Sequence, residues 1–312
     1  MQAIVIAITP LLILIALGFA LGRFKIINSV QLAGLSKLTF TVFIPCLLFL
    51  SIYQSEDLAS VSINLLLAFY IPVVSLFILS FMAYRKFFAH SFEKSELLSL
   101  ATTFSNNVLI GIPILLSLIG DKVLLPGFVI VSIHSLILFS LTSLFGGFRA
   151  SSEQRWYRTV AASLWITTRS PIVLSLLLGL CFKWLDIPLH AVLMDTIDFL
   201  KGAALPCALL VLGLTLSQYK TERNMKLTLV VLIAKLFVLP LSIYWTATEV
   251  FALADWLVAV TVVLSASPVG LNVFMFAAQD PKASPYLASA ILSSTIASIV
   301  TIPFWLLWLG LA

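Results

Sequence analysis

Two apolar stretches of this chain carry polar side chains and helix breakers together. One runs from Ser105 to Pro113 and reads SNNVLIGIP; the other runs from Ser265 to Asn272 and reads SASPVGLN. Asn106 and Asn107 each offer an amide with two N–H donors and one acceptor. Gly111 permits close backbone approach, and Pro113 lacks an N–H and clashes with the preceding turn. In the second stretch Pro268 and Gly270 break the helix, while Ser265, Ser267 and Asn272 add polar atoms. A half-helix N-terminus leaves N–H groups unpaired and carries roughly half a positive charge, whereas a C-terminus presents carbonyls and roughly half a negative one. The chemistry expected is reversible binding of an anion by donors, with no bond made or broken. The plain alternative is a pair of proline kinks whose Asn and Ser side chains bond to neighbouring helices. Pro10, Pro45, Pro72, Pro206, Pro240 and Pro303 show that proline alone marks nothing here, so clustering and symmetry carry the inference.

Ionisable groups inside apolar segments are the next candidates, because such groups are costly in a bilayer and are functional by default. Lys235, near the middle of its span, either pairs with a substrate carboxylate or neutralises the carbonyl ends of the half-helices. Lys201 follows Asp198 by three residues, with Asp195 a turn earlier, so an i,i+3 pair is available on one helix face. That pair is either internal or an outer-vestibule or coupling element. His134 is a lone histidine among Ser and Thr, read either as a hydrogen-bonded packing residue or as a proton relay. The broken spans are read as free of Asp and Glu up to their ends at Asp121 and Asp280, which argues against sodium coupling. Uniport and proton coupling both remain open.

Long helices in a membrane must position these groups. Of 312 residues, 61% are hydrophobic and 10% charged, against about 25% charged in soluble domains. Mean hydropathy is +1.14. Ten apolar runs suit a hydrocarbon core about 30 Å thick: roughly 3–22, 34–54, 63–84, 95–119, 124–148, 170–184, 194–218, 226–247, 256–278 and 285–310. Loops after odd-numbered spans hold fourteen Lys and Arg, and loops after even-numbered spans hold only Lys122 and Lys183. The positive-inside rule then puts the odd loops in the cytoplasm and both termini on the other side of a plasma (inner) membrane. These basic residues are topology determinants beside anionic lipid, so the partners expected are the bilayer and a small solute, with no nucleic acid. The first run lacks a preceding Lys or Arg and is read as a retained span rather than a secretory signal. Cys46, Cys181 and Cys207 fall inside spans with no CxxC, and no disulfide, metal or cofactor is expected.

The two halves repeat. Displaced by 161 positions, Pro10 meets Pro171, Gly18 meets Gly179, Pro45 meets Pro206 and Cys46 meets Cys207; displaced by 159, Gly111 meets Gly270, Asp121 meets Asp280 and Pro126 meets Pro285. The organisation expected is a first five-helix repeat over 1–148, a basic cytoplasmic connector over 149–169 and a second repeat over 170–312. An odd number of spans per repeat inverts the second copy. The broken fourth and ninth spans then face each other across a pseudo-two-fold axis near the midplane, where secondary transporters bind substrate.

The run NNVLIGIPILLSLIGD, Asn106 to Asp121, resembles the auxin efflux carrier family, as do ASPVGLNVFMFAAQ, Ala266 to Gln279, and SAILSSTIASIVTIP, Ser289 to Pro303. The resemblance covers essentially the whole chain. It implies an all-α polytopic fold of ten transmembrane helices, like bile-acid symporters and sodium/proton antiporters. Spans 1, 2, 6 and 7 would form a panel, and spans 3–5 and 8–10 a core that moves as an elevator. It also implies that Asn106 holds a substrate carboxylate, such as malate, malonate or an auxin-like acid. One departure is Val273, where those carriers are expected to have a second proline, so the second break rests on Pro268 and Gly270. The family's long cytoplasmic loop is absent. A homodimer is compatible with this reading, and the oligomeric state is left open.

An intramembrane enzyme needs a nucleophile with a base, paired aspartates or a metal cluster at depth, and the sequence offers none. A ligand sensor without transport would use the same pocket, and a channel would need a continuous polar stripe. The function expected is secondary or facilitated transport of a small organic anion.

Overall fold

The computed structural model describes residues 2–55, 61–88, 91–147, 169–218, 225–273 and 284–311. The connector at 149–169 lies outside them except for Arg169, as do Lys220, Arg223, Lys282, Asp280 and the stretch from Phe274 to Gln279.

The described residues are helical almost throughout. In chain order they form α1 (Gln2–Arg23), α2 (Ser29–Gln54), α3 (Ile63–Phe87), α4 (Phe92–Thr103), α5 (Ile112–Ile119) and α6 (Leu124–Gly147). There follow α7 (Pro171–Trp184), α8 (Ala191–Leu216), α9 (Lys226–Val250), α10 (Asp255–Ala266) and α11 (Ser284–Trp308). Six stretches among them are long and apolar enough to cross a membrane, and four shorter apolar helices accompany them. A 25-residue helix such as α3 is about 38 Å long at 1.5 Å per residue, enough for the hydrocarbon core.

Contacts divide the chain into two units, one comprising Met1–Val61, Ile112–Ser132 and Ile166–Tyr219 and the other Ser62–Gly111, Ile133–Trp165 and Lys220–Ala312. Each unit draws helices from both halves of the sequence. The first holds α1, α2, α7 and α8, but it also takes residues 112–132, which the resemblance would give to the core. The reason is packing: α5 lies against α1.

In the first unit α1 packs along α8, and α2 along α7. Glycine makes both approaches close. A Cβ at Gly18 would collide with the carbonyl oxygen of Leu210, and one at Gly179 would lie 2.9 Å from the carbonyl oxygen of Phe49. These two contacts are the same contact displaced by 161 positions, since Gly18 corresponds to Gly179 and Phe49 to Leu210.

The second unit shows how prolines are accommodated at membrane depth. A proline frees the carbonyl four residues earlier, and in apolar surroundings that carbonyl needs another donor. Pro72 frees Ala68, whose oxygen accepts from Thr246 Oγ1 at 2.7 Å. Pro240 frees Leu236, whose oxygen accepts from Trp305 Nε1 at 2.8 Å. The turn before Pro240 widens into a π-helical segment, Ala234–Val238, and that widening carries Lys235 into the interior, fully buried. Single π turns of this kind recur at functional sites.

Candidate functional site

Ser105–Gly111 and the second cluster lie in the second unit, with Ile112 and Pro113 in the first, and in both clusters the helix stops. α4 ends at Thr103, and the chain is non-helical through Phe104, Ser105 and Asn106 before a π turn over Asn107–Gly111. α10 ends at Ala266, after which Ser267 is extended, with φ −59° and ψ 143°. Non-helical chain continues to Gly270, and a 3₁₀ turn covers residues 271–273.

The two unwound segments pair with each other. Ser105 and Val269 form an antiparallel bridge. Asn106 N–H donates to the Pro268 carbonyl at 2.8 Å, and Gly270 N–H donates to the Phe104 carbonyl at 2.9 Å. Two further N–H groups find side chains: Ser105 donates to His134 Nε2 at 3.2 Å, and Val269 to Ser294 Oγ at 3.0 Å. The expectation that the breaks offer unpaired backbone N–H groups to a ligand fails at these four positions. At Ser105, Asn106, Val269 and Gly270 those donors are spent inside the protein, as burial without water demands.

Groups left without a partner beside the breaks are His134 Nδ1 and side-chain amides. Asn106 and Asn107 are buried, at 6% and 3% exposure. Asn106 Nδ2 has no partner, and neither Nδ2 nor Oδ1 of Asn107 has one. Leaving a buried amide unpaired costs about 1–3 kcal/mol, so three such atoms on adjacent residues are a costly arrangement. Each amide presents N–H donors with the geometry to take a carboxylate oxygen.

Glycine sets the spacing here too. A Cβ at Gly111 would stand 2.7 Å from Ser267 Oγ and 2.9 Å from Leu264 Cδ2, and one at Gly270 would stand 2.5 Å from Phe104 Cδ1 and 3.0 Å from the Ser105 carbonyl oxygen. Gly111 against Leu264 and Gly270 against Ser105 are again one contact, displaced by 159 positions. Pro113 is buried just after the π turn, inside a helix that runs without interruption over Asn107–Ile119, as Pro240 follows the π turn Ala234–Val238.

Lys235 reaches these segments from α9. Its ammonium donates to Ser105 Oγ at 2.7 Å and to the Ser265 carbonyl at 2.5 Å. Ser265 lies in the last turn of α10, so a cation stands where the helix dipole is negative. Of the two roles open to Lys235 in the sequence, this contact is the one with helix ends.

His134 is 2% exposed and packed among the rings of Phe69, Tyr70 and Phe104. Because Nε2 accepts from Ser105 N–H, the imidazole is neutral, with its proton on Nδ1. The remaining candidates sit apart from the amides in function. Ser267 Oγ donates to the Val263 carbonyl of its own helix at 3.0 Å, and Asn272 is exposed. In the first unit, Lys201 Nζ lies 4.0 Å from Asp198 and closer, at 3.4 Å, to Asp121. Asp121 follows the sharp turn at Gly120, where φ is +91°, and spacing along α8 alone cannot reveal it.

Two residues escaped the sequence reading. Ser294 takes its significance from Val269 alone. Glu96 corrects the statement that the broken spans lack a carboxylate: it lies in α4, ten residues before Asn106, and is 3% exposed. A single acid inside a hydrophobic window was the signal available.

Residues 3–306 match the family described as membrane transport protein, to which auxin efflux carriers belong. The chain belongs to that family. An uncharacterized transporter of Methanothermobacter thermautotrophicus is 23% identical to it over 300 residues, covering 96% of each chain. The uncharacterized transporter YfdV of Escherichia coli strain K12 is 21% identical over 301 residues, covering 95% of each. This member of the auxin efflux carrier family is therefore an integral membrane transporter, and its apolar helices are its membrane-crossing elements. The paired breaks are irregular backbone buried in protein, the condition under which such backbone is tolerated at membrane depth.

Proposed function

We propose that the protein carries a small organic anion, a carboxylate, across the plasma membrane. Asn106 and Asn107 donate to the carboxylate, and the paired breaks around Gly111, Pro113, Pro268 and Gly270 hold those two residues in place. The single observation behind this reading is the set of buried, unpartnered amide atoms on Asn106 and Asn107, beside a lysine already engaged by the breaks. An acceptor-bearing solute completes those amides, and an anion does so with stronger hydrogen bonds than a neutral one. Lys235 contributes from behind, holding Ser105 and the end of α10 and lending positive potential without touching the solute.

The architecture proposed is a 5+5 inverted repeat moving by an elevator mechanism. It is supported by two pairs of glycine contacts that repeat at the sequence displacements, Gly18–Leu210 with Gly179–Phe49 and Gly111–Leu264 with Gly270–Ser105. The charge distribution of the loops supports termini outside the cytoplasm. An inside-negative potential favours export of an anion by about 2.3 kcal/mol per charge per 100 mV. The test is counterflow in proteoliposomes with labelled malonate and labelled indole-3-acetate. A carrier exchanges label across the membrane, and Asn106→Ala reduces that exchange through its loss of affinity; a wild-type protein that binds either anion without exchanging it is a sensor.

A further inference from the structure

α4 contains a carboxyl group that the anion site does not use. Every residue from Ser95 to Thr103 is buried, Glu96 among them at 3% exposure, and Glu96 Oε1 accepts no hydrogen bond. An ionised carboxylate left unpaired in such a place costs far more than the neutral acid, which needs only one acceptor for its O–H. The neighbouring hydroxyls are occupied as donors: Ser95 donates to the Ser91 carbonyl, Ser99 to Ser95 and Thr102 to Leu98, each 2.8–2.9 Å away. Their oxygens keep lone pairs, so they can accept from an acid but cannot stabilise its anion.

The charged and titratable groups around Glu96 do not replace a proton. α4 packs against α3, α9 and α11. On α3, Tyr84 shares a hydrogen bond with Thr102 at 2.9 Å, and Arg85 and Lys86 are exposed. On α9, Lys226 is exposed and Lys235 is held by Ser105 and Ser265. On α11, Tyr286 lies under Lys94, whose Nζ is 3.7 Å from the ring centroid. On α4 itself, the one other acid is Glu93 in the first turn. None of these donates to Glu96 Oε1.

The position also suits coupling. From Glu96, Ser99 and Thr103 follow at three and seven residues, one helix face, and lead to the break at Phe104–Asn106. Seven residues of helix place Glu96 about 10 Å along the axis from Thr103, with three residues of unwound chain between that end and Asn106, near enough to share a moving element. Of the other buried titratable groups of this region, His134 is engaged as an acceptor, Lys235 as a donor and Tyr84 by Thr102. At the displacement of 159, the residue corresponding to Glu96 is Asp255, which is exposed. Burial at 96 is thus particular to this end of the repeat.

We propose that Glu96 is the proton-binding residue of the transporter and couples anion movement to a proton. Its carboxylate takes a proton from water on one side of the membrane and crosses the buried state as the neutral acid. It returns the proton to water on the other side, moving one proton per cycle. This rests on the anion-carrier reading above.

The experiment uses the full chain in proteoliposomes with labelled malonate and labelled indole-3-acetate. Counterflow, and accumulation driven by a pH gradient of either sign or by a sodium gradient, are measured for the wild type and for Glu96→Gln, Glu96→Asp and Asp255→Asn. The result expected is accumulation that follows pH and not sodium. Glu96→Gln, which mimics the neutral acid, loses gradient-driven accumulation by at least about tenfold, within the range of ordinary coupling energies. It keeps counterflow, and Glu96→Asp and Asp255→Asn keep both. Glu96→Gln that follows the pH gradient like the wild type overturns the proposal, as does a wild type driven by sodium or by neither gradient. Loss of counterflow together with gradient response in Glu96→Gln also overturns it, because that is the mark of a structural role. A wild type that exchanges neither anion defeats the carrier reading itself, a failure distinct from intact exchange with Glu96 irrelevant.

Discussion

The backbone N–H of Asn106 is fixed 2.8 Å from the Pro268 carbonyl, while the side-chain nitrogen of the same residue has no partner in the protein. One half of Asn106 is therefore anchored to the second break and the other half is available. Removing an amide that makes no internal hydrogen bond leaves stability within about 1 kcal/mol. A hydrogen bond to a charged group is worth about 1.5–3 kcal/mol, so Asn106→Ala weakens malonate or indole-3-acetate binding roughly ten- to hundredfold. Titration calorimetry on protein of unchanged melting temperature measures this, and undiminished affinity would remove Asn106 from the site.

Lys235→Gln has the opposite profile. The ammonium makes two charge-assisted hydrogen bonds in a fully buried place, and losing them costs about 1.5–3 kcal/mol of stability. Thermal unfolding in detergent should report that loss, together with an affinity loss smaller than that of Asn106→Ala among the molecules that remain folded. Unchanged stability with abolished binding would place the ammonium on the solute instead.

Gly111→Ala and Gly270→Ala each drive a methyl into the opposing break, against Ser267 Oγ in one case and the Phe104 ring in the other. Overpacking of this kind costs about 1–3 kcal/mol. Ser267→Ala removes the nearer obstacle to a methyl at 111, so the double variant Gly111→Ala/Ser267→Ala should recover part of the loss. Strictly additive effects in that cycle would contradict the contact.

His134→Leu leaves the Ser105 N–H buried without an acceptor, at a cost of about 1–3 kcal/mol. A glutamine at 134 keeps an acceptor oxygen and should retain more stability than leucine. Equal melting temperatures for the two variants would show that His134 is present only for its packing.

The Lys201 contacts are half-open to solvent, and exposed pairs contribute under about 1 kcal/mol. Asp121→Asn should cost more than Asp198→Asn, because the first acid is at 3.4 Å and the second at 4.0 Å. High salt should erase the difference, measured as a change in unfolding midpoint.

Much of the arrangement was legible in the chain. The places where α4 and α10 stop follow from local rules: Pro268 and Gly270 interrupt one, and Ser-Asn-Asn before the Gly-Ile-Pro run interrupts the other. The helix lengths follow from the apolar runs. What was not legible was the fate of each freed group. Four break N–H groups are satisfied by Pro268, Phe104, His134 and Ser294, residues up to 166 positions away in sequence. Only their absence from the remaining inventory shows that the asparagine amides are the free donors. Lys201 was read with Asp198 because helix spacing is local, and its closer acid comes from a turn eighty residues earlier.

Periodic hydrophobicity, the placement of Lys and Arg, and the breaker residues are properties of single segments, so the sequence alone determined a membrane-embedded helical protein with two interrupted apolar stretches. Which donors are spent and which remain, that Lys235 meets a carbonyl and a serine, and that Glu96 Oε1 is buried without a donor were decided only by the tertiary structure. The physical reason is that hydrogen bonding inside an apolar medium is an accounting across the whole fold: each polar group must be paired, and its partner is chosen by proximity in space rather than along the chain.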